Sequence, residues 1–458
     1  MNLEKENFYF IGIGGIGMSA LASYFKAKGK NVSGYDLRAT DITKQLQKSG
    51  VVIQHQDDPD FIPFSHREAA QTTVVYTPAI SDNHQILNYF IKKGFHCLKR
   101  AVLLGELSRQ FKTIAVAGTH GKTTISTMTA FLLKEAGIKL NAFMGGISLD
   151  FATNLLTDEN AEWMLTEADE FDRSFLQLNP DKLVITSMDA DHLDIYEDQN
   201  DLIQAYEKLI SQIPDHGFLL CTPSVKQQLN GNFPEKVETY HLKEQAGITA
   251  ENVRVEEGKL LYDFTSKDVK IKDLCCGLPG LHNLENSLAA VRIALDFNIS
   301  PDQIRSSLKN FHGVKRRFDV HLNTEELVYI DDYAHHPNEI KTLLESVKML
   351  YPKREITLIF QPHLYSRTRD FADEFADVLA TADHLILLEI YPAREEPIEG
   401  ITALWLAGKI KKLNVPVCQK YQLINVLKGR EPEVLITAGA GDIDAMVKPI
   451  IEYYNGEL

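Results

Sequence analysis

The chain alternates short, almost wholly apolar runs with longer segments in which apolar residues recur every three or four positions. Short apolar runs predict buried strands, and the longer amphipathic segments predict helices. In the first part of the chain, this pattern predicts strands at residues 7–13, 31–36 and 72–76 and a helix at 18–28. Strands that alternate with helices form parallel sheets covered by helices. The pattern therefore predicts an α/β fold.

The length of the chain and the repetition of the pattern predict several domains. A chain of 458 residues is longer than a single hydrophobic core usually supports. Later strands are predicted at 163–166, 183–188, 218–220, 327–330, 356–360, 384–388 and 434–437, with a helix at 283–295. The polar, partly alternating segment 230–272 predicts an antiparallel β insertion. We place the three blocks at residues 1–108, 109–318 and 319–458.

Charge and cysteine content exclude several classes of protein. Lys and Arg number 48 against 63 Asp and Glu, a net charge of −15. This balance suits neither the coating of nucleic acid nor binding to an anionic membrane, so neither is expected as a partner. The five cysteines are scattered, which argues against a disulfide framework or a zinc cluster. No apolar run approaches ~18 residues and no signal-peptide pattern is present, so we expect a cytoplasmic protein.

The segment 113–124, T-I-A-V-A-G-T-H-G-K-T-T, has the layout of a triphosphate site. An apolar strand leads into a glycine-rich turn, and an amphipathic helix follows. In such a loop backbone N–H groups hold phosphate, Lys122 meets the terminal phosphates and Thr123 can bind Mg²⁺. The loop is shorter than G-x-x-x-x-G-K-[ST], because Val116 stands where the first glycine would be. It predicts ATP or GTP binding, the alternative being a chance glycine turn before a helix. Lys122→Ala is expected to lower turnover by orders of magnitude and to leave thermal stability nearly unchanged.

A second glycine loop, G-I-G-G-I-G at residues 12–17, follows the first predicted strand, and Asp36 ends the next one. This arrangement satisfies the G-x-G-x-x-G dinucleotide fingerprint. Glycine-lined amides at a helix N-terminus bind any diphosphate, including that of a UDP-sugar. The alternative is a tight turn that needs glycine for packing alone. Two phosphate loops in one chain predict an ATP-driven enzyme that acts on a nucleotide-linked substrate.

Two acidic motifs follow predicted strands: E-A-D-E-F-D begins at Glu167, and D-A-D-H-L-D contains His192. Carboxylates at a strand end beside a phosphate loop are placed to bind Mg²⁺. An imidazole is an unusual ligand for so hard an ion. Solvated acidic loops are the alternative for both motifs. Further polar motifs begin at residues 279, 331 and 361, and loops at the ends of parallel strands could bring them to one crevice.

The ordered set of motifs resembles the Mur ligase family. The motifs are GTHGKTT, EADEFD, DADHLD, GLHNLEN, RRFD, DDYAHHP, QPHLYSRTR and TAGAGD. The resemblance implies a Rossmann-like N-terminal domain for a UDP-sugar, a central P-loop ATPase-like domain and a C-terminal Rossmann-like domain on the side of the amino acid. It implies an ATP-dependent amide ligase of peptidoglycan precursor synthesis, a monomer or weak homodimer.

In the implied reaction, the lactyl carboxylate of UDP-N-acetylmuramate takes the γ-phosphate of ATP, and the amine of L-alanine attacks the acyl phosphate. Within the family, the alternative is a ligase that recycles a tripeptide onto the same UDP-sugar. Two further alternatives come from other classes. A nicotinamide-dependent oxidoreductase would use the first glycine loop and leave GKTT unexplained, and a non-catalytic regulator would sense nucleotides through both loops.

The resemblance also implies roles for individual positions. The ATP-binding positions are Gly118, Thr119, His120, Gly121, Lys122, Thr123, Thr124, Asn283, Asn286, Arg317 and Asp332. The implied catalytic positions are Lys122, Glu167, His192, Arg317, Asp332 and His335, and the implied Mg²⁺ ligands are Thr123, Glu167 and His192. The UDP-sugar positions are Gly14, Gly15, Ile16, Gly17 and Asp36, and those beside the amino acid are Tyr333, His335, His363 and Arg367. The chain departs from the usual family pattern at Ile125, at Leu364 and in the loop at 77–80.

Overall fold

The structure is a computed structural model that describes residues 2–81, 83–189, 196, 198–230, 233–242, 245–256, 259–393, 395–411 and 414–456. The chain divides into two compact units. The first comprises residues 1–254, 261–276 and 285–312, and the second comprises residues 255–260, 277–284 and 313–458. Within the described part of the chain, every helix is too short or too polar to cross a lipid bilayer.

The first unit begins with a five-stranded sheet in which all neighbouring strands are parallel. Its strands, in the order β3-β2-β1-β4-β5, are β1 (Asn7–Ile11), β2 (Asn31–Tyr35), β3 (Val52–Gln54), β4 (Thr72–Tyr76) and β5 (His96–Lys99). The helices between them are α1 (Ile16–Ala27), α2 (Asp41–Lys48), α3 (Gln85–Lys92) and α4 (Arg100–Ser108). The strands predicted here are confirmed, although β1 ends before Gly12, whose φ of +84° turns the chain.

A seven-stranded sheet follows, in the order β12-β11-β10-β6-β9-β7-β8. Its strands are β6 (Lys112–Ala117), β7 (Leu140–Phe143), β8 (Leu155–Leu156), β9 (Trp163–Ala168), β10 (Lys182–Ile185), β11 (Phe218–Cys221) and β12 (Lys236–Thr239). The helices are α5 (Lys122–Glu135), α6 (Gln199–Ile210) and α7 (Pro223–Gln228). Only β8 pairs antiparallel among these described strands. Strands β6 and β10 therefore end at the same sheet edge as β9.

The antiparallel insertion predicted at 230–272 is partly wrong. Its first strand, β12, extends the seven-stranded sheet as a parallel edge strand beside β11. The rest forms a separate sheet in the order β13-β14-β15, with β13 (Thr249–Glu256), β14 (Lys259–Thr265) and β15 (Lys270–Cys276). The helices α8 (Leu281–Asp296) and α9 (Pro301–Lys309) come next. The polar composition of the segment concealed β12, because an edge strand buries only part of its surface.

The second unit contains a six-stranded sheet in the order β16-β17-β21-β18-β19-β20. Its strands are β16 (Asp319–Asn323), β17 (Val328–Asp332), β18 (Ile356–Phe360), β19 (His384–Leu388), β20 (Val417–Cys418) and β21 (Val434–Ala438). The helices are α10 (Pro337–Leu350), α11 (Tyr365–Asp370), α12 (Ala372–Leu379), α13 (Ala403–Lys409), α14 (Leu423–Leu427) and α15 (Val447–Tyr454). Strand β16 is antiparallel to β17, and the other pairs are parallel.

One apolar core joins the two sheets of the first unit. It includes Phe25 and Leu104 from the layer around the first sheet and Phe143 and Leu183 from the central sheet. Buried Asn154 adds a polar link, because its Nδ2 donates to Ile16 O at 2.6 Å, at the start of α1. Each buried apolar side chain contributes about 1.5–3 kcal/mol. The first glycine loop is thereby held in a fixed position relative to the central sheet.

Candidate functional site

The central phosphate loop connects β6 to α5 and depends on two glycines. Gly118 has a φ of +118° and Gly121 a φ of +81°, values that side chains rarely allow. A Cβ on Gly118 would also overlap the Thr186 hydroxyl oxygen. The segment after β10 fixes the loop, since the Thr119 N–H donates to Ser187 O at 3.2 Å. The predicted strand–loop–helix arrangement is therefore formed.

The start of α5 is suited to an anion. Gly121 is the N-cap and provides no side-chain hydrogen bond. The N–H groups of the first turn, which includes Thr123 and Thr124, have no intrahelical acceptor and lie at the positive end of the helix dipole. Two predicted nucleotide-binding residues lie at this loop. A Cβ on Gly121 would lie 2.7 Å from Asn286 Oδ1, and the His120 N–H donates to the Ser187 hydroxyl at 3.2 Å.

Lys122 forms a buried ion pair at the base of the loop. Its Nζ donates to Gly118 O at 2.6 Å and to both Glu170 carboxylate oxygens at 3.0 and 2.8 Å. Burial alone lowers the pKa of Lys122, but Glu170 and then Asp169 outweigh it and raise the pKa, so the ammonium stays charged. The sequence predicted Lys122 but gave no role to Glu170. The signal was the density of acids in E-A-D-E-F-D, which requires a nearby cation.

Glu167 lies at the end of β9, opposite Val116 of β6. Its Oε1 accepts from the Gly145 N–H at 3.1 Å and from the Ser126 hydroxyl at 3.3 Å, and the same hydroxyl lies 3.1 Å from Thr123 O. Glu167 and the first turn of α5 are therefore neighbours, as two oxygen ligands of Mg²⁺ must be.

The third predicted metal ligand, His192, lies outside the described residues. Among the residues that the structure does describe, no three His, Cys, Asp or Glu side chains are grouped closely enough to hold a metal ion.

The first glycine loop is organised differently. The Gly14 N–H donates to Asp36 Oδ2 at 2.8 Å, so these two predicted residues hold each other. Gly15 is the N-cap of α1 with an ordinary φ of −64° and no side-chain cap. A Cβ on Gly17 would lie 2.8 Å from Arg100 Nη1, so glycine there leaves room for a guanidinium.

A cavity of about 250 Å³ lies between this loop and the acidic end of β9. Its lining residues are Gly15, Ile16, Gly17, Met18, Ala20, Thr77, Arg100, Leu104, Phe143, Met144, Gly145, Thr166, Glu167 and Asp169. Two sites that the sequence predicted separately therefore face one space. Arg100, the first residue of α4, lies 3.6 Å from Asp169 through its Nη2. Arg100 was not among the predicted site residues, because strand β5, which it follows, was itself not predicted from the sequence.

In the second unit, Asp332 ends β17 and is held by the backbone. Its Oδ2 accepts from the Phe318 N–H and its Oδ1 from the Ala334 N–H, both at 2.7 Å. Burial raises the pKa of Asp332 to about 6, although Arg317 and the two N–H groups act in the opposite direction. The Arg317 guanidinium lies 5.1 Å from the centre of the Tyr333 ring. Two predicted nucleotide-contacting residues of this unit are thus brought together.

Beside them, His335 and His363 face each other with ring centres 5.9 Å apart, and the Tyr333 ring lies 5.4 Å from that of His335. Burial lowers the pKa of His335 against the opposing effect of the Glu339 carboxylate, 3.2 Å from its Nδ1, and the nearby Arg367 lowers the pKa further. The four residues predicted beside the amino acid therefore cluster. Leu364, where the chain departs from the family pattern, has a φ of +68° just before α11.

Two residues at the start of α8 make defined contacts within the second unit. The Asn283 Nδ2 donates to Pro279 O at 2.7 Å, which secures the turn before the helix. His282, which the sequence analysis did not select, lies 3.3 Å from the Ser346 hydroxyl through its Nδ1. Burial, and then Arg317, lower the pKa of His282 to about 4, so this ring is neutral.

Comparison with known proteins agrees with this architecture. Three family models match along the chain: "Mur ligase family, catalytic domain" at residues 7–112, "Mur ligase middle domain" at 116–294 and "Mur ligase, glutamate ligase domain" at 316–441. The chain belongs to the Mur ligase family, and the predicted three-domain α/β fold class is confirmed.

Curated relatives extend over nearly the whole chain. A protein of Christiangramia forsetii named UDP-N-acetylmuramate–L-alanine ligase is 43% identical over 446 residues, 97% of each chain. One of Parabacteroides distasonis with the same name is 44% identical over 453 residues, 99% of this chain and 98% of its own.

Solved structures with a similar fold also align with nearly the whole chain. The UDP-N-acetylmuramate-alanine ligase of Thermotoga maritima has a TM-score of 0.84 and 25% identity, with 99% of this chain and 100% of that chain covered. A murein peptide ligase of Psychrobacter arcticus has a TM-score of 0.70 and 22% identity over 97% and 98% of the two chains, which shows the shared fold alone.

Proposed function

We propose that this enzyme joins L-alanine to the lactyl carboxylate of UDP-N-acetylmuramate, with hydrolysis of ATP to ADP and phosphate. The observation that carries the proposal is the identity above 40% with relatives of that name over almost their full length. The reaction belongs to peptidoglycan precursor synthesis and takes place in the cytoplasm, where ATP is available. The domain borders follow as 1–108 for the UDP-sugar, 109–318 for ATP and 319–458 for the amino acid.

ATP binds at the loop between β6 and α5. The first-turn N–H groups of α5 hold phosphate oxygens, and the Lys122 ammonium neutralises charge on the γ-phosphate as it is transferred. The ammonium is kept charged by Glu170, at 2.8 Å. When ATP arrives, its γ-phosphate competes with Glu170 for the lysine. The residues of this loop therefore position the phosphates and stabilise their negative charge, and no protein nucleophile is needed.

The donor set beside the loop fits Mg²⁺. Thr123 and Glu167 would hold the ion, because their oxygen atoms are the ligand type that it prefers and Ser126 contacts both residues. Bound there, Mg²⁺ would offset the negative charge of the phosphates. His192 stays a proposed ligand of a second ion.

The UDP-sugar binds at the cavity between the first glycine loop and β9. The start of α1 meets the diphosphate, and Glu167 marks the end toward which the lactyl carboxylate extends. A carboxylate oxygen attacks the γ-phosphorus, and the bond from phosphorus to the ADP oxygen breaks. The buried apolar walls, which include Phe143 and Met144, limit access of water to the acyl phosphate.

The amino acid binds in the second unit. Arg367 pairs with its carboxylate, and the neutral His335 imidazole accepts a proton from its ammonium group, which leaves a nucleophilic amine. The amine attacks the acyl carbon and the new C–N bond forms. The C–O bond then breaks, and the departing phosphate takes its electron pair and the surplus proton of the nitrogen. His363 and Tyr333 line this site. Asp332 and Arg317, which are close to Tyr333 in the sequence, bind the nucleotide.

The test is release of inorganic phosphate with ATP, Mg²⁺ and UDP-N-acetylmuramate against each amino acid. L-alanine should give the highest kcat/KM, and omission of the UDP-sugar should abolish release. A higher rate with the tripeptide L-alanyl-γ-D-glutamyl-meso-diaminopimelate would instead identify a recycling ligase. Phosphate release that needs neither the UDP-sugar nor an amino acid would contradict ligase activity altogether.

A further inference from the structure

Arg100 occupies a distinctive place in the cavity of the first unit. Its Nη1 lies against Gly17 in the first turn of α1, and its Nη2 lies 3.6 Å from Asp169 Oδ2. The side chain is 21% exposed, so the guanidinium is partly withdrawn from water but still accessible from the cavity. It therefore lies between the two ends of the cavity, the glycine loop and the acidic end of β9.

The charges around the cavity are unbalanced in this region. Among the described residues that line it, Glu167 and Asp169 are acids and Arg100 supplies the one positive charge. Bound Mg²⁺ would offset the charge of Glu167 only, so a substrate carboxylate that enters beside Asp169 is repelled unless a further cation compensates it. The diphosphate at the other end already has the N–H groups and dipole of α1. The lactyl carboxylate is therefore the anion that most requires Arg100.

We propose that the Arg100 guanidinium binds the lactyl carboxylate of the UDP-sugar and holds it in place for phosphorylation. This inference rests on the proposed function. The guanidinium fork matches a carboxylate with two parallel hydrogen bonds, which a lysine cannot reproduce. Its single, long contact with Asp169 gives way readily to a substrate carboxylate, because an ion pair at 3.6 Å is longer than a charge-assisted hydrogen bond.

The test measures equilibrium binding of two UDP-sugars to the full-length protein by calorimetry. UDP-N-acetylmuramate carries the lactyl carboxylate, and UDP-N-acetylglucosamine has the same diphosphate and sugar without it. Arg100→Ala should weaken binding of the first by about 10- to 100-fold and of the second by less than about 2-fold. Arg100→Lys should fall between Arg100→Ala and the wild type for the first sugar only.

A matched control lies at the other end of the same helix. Arg109 follows α4 and donates from Nε to Asn179 Oδ1 at 3.1 Å, away from the cavity lining. Arg109→Ala should leave both affinities unchanged. Thermal unfolding of each variant separates loss of the fold from loss of a contact, and Arg100→Lys serves if Arg100→Ala does not fold.

Each other outcome is decisive. Equal weakening for both sugars in a folded Arg100 variant would assign Arg100 to the diphosphate and overturn the inference. Unchanged affinity for UDP-N-acetylmuramate would overturn it as well. Failure of the wild-type protein to bind UDP-N-acetylmuramate would instead contradict the proposed function, so the two failures are distinguishable.

Discussion

The ion pair between Lys122 and Glu170 yields the sharpest prediction, because it separates catalysis from stability. From the sequence alone, Lys122→Ala is expected to lower turnover by orders of magnitude with little change in thermal stability. The structure leads to a different expectation, since the Lys122 side chain is 15% exposed and that of Glu170 only 3%. Lys122→Met removes the charge but keeps most of the volume. It leaves the Glu170 carboxylate buried without its cation.

The size of the effect follows from this geometry. Two unit charges about 4 Å apart attract by about 4 kcal/mol at an effective dielectric constant of about 20. Removal of one partner of a buried pair costs about 3–5 kcal/mol. At about 2 °C per kcal/mol, the first unit of Lys122→Met should unfold about 6–10 °C below the wild type. The double variant Lys122→Met/Glu170→Gln removes the stranded charge and should recover most of this loss.

Activity should not follow stability. Loss of a preorganised charge on the transferring phosphoryl group lowers kcat by about 100- to 1000-fold, and this should hold for the single and the double variant alike. Calorimetric unfolding and steady-state ADP release measure the two quantities. Equal unfolding temperatures for the wild type, Lys122→Met and the double variant would refute the energetic argument. Near-normal turnover in Lys122→Met would refute the assignment of this loop to ATP.

Three further predictions concern other parts of the site. Gly118→Ala should abolish ATP binding because the φ of Gly118 is +118°. Gly15→Val, at a φ of −64°, should fold and raise the KM for UDP-N-acetylmuramate with the KM for ATP unchanged. The reverse pattern would exchange the ligands assigned to the two loops. Glu167→Gln should raise the Mg²⁺ concentration needed for half-maximal activity, with exposed Glu162→Gln as the control, and coincident titration curves would exclude Glu167 as a ligand. Burial raises the pKa of Asp332 to about 6, so its contribution to stability is present at low pH and is lost as pH rises through about 6. The Tm of the wild type minus the Tm of Asp332→Asn should therefore fall from pH 4 to pH 7. A difference that stays constant over this range would contradict the prediction.

Much of the fold could be predicted because its strands are buried on both faces. Strand β1 is apolar or buried at every position, and β18 is likewise buried throughout. Such strands appear in the sequence as uninterrupted apolar runs. Strand β12 was missed as part of the central sheet because it lies at the edge, where polar residues such as Lys236 and Glu238 are tolerated.

The site could be predicted where all the elements that form it lie within one continuous sequence motif. The loop around Lys122 carries the strand, the glycines and the helix start within a single run, so its local form follows from sequence. Contacts between distant segments were not predictable in this way. Arg100 meets Gly17 and Asp169 only after two sheets pack on a common core, and nothing in the spacing of these residues specifies that contact.

The two glycine loops show why a glycine motif alone does not define a ligand. In nicotinamide-binding sites of this fold, the acid after the second strand binds ribose hydroxyls. Here both oxygens of the corresponding Asp36 accept hydrogen bonds from its own chain, Oδ2 from the Gly14 N–H at 2.8 Å and Oδ1 from the Arg38 N–H at 3.1 Å. A ribose would have to displace these bonds. Asp36 therefore stabilises the loop at residues 12–17 through hydrogen bonds within the chain. The cavity beside this loop extends toward Glu167 of the ATP-binding sheet. That direction favours a substrate whose far end is phosphorylated over a dinucleotide that delivers hydride.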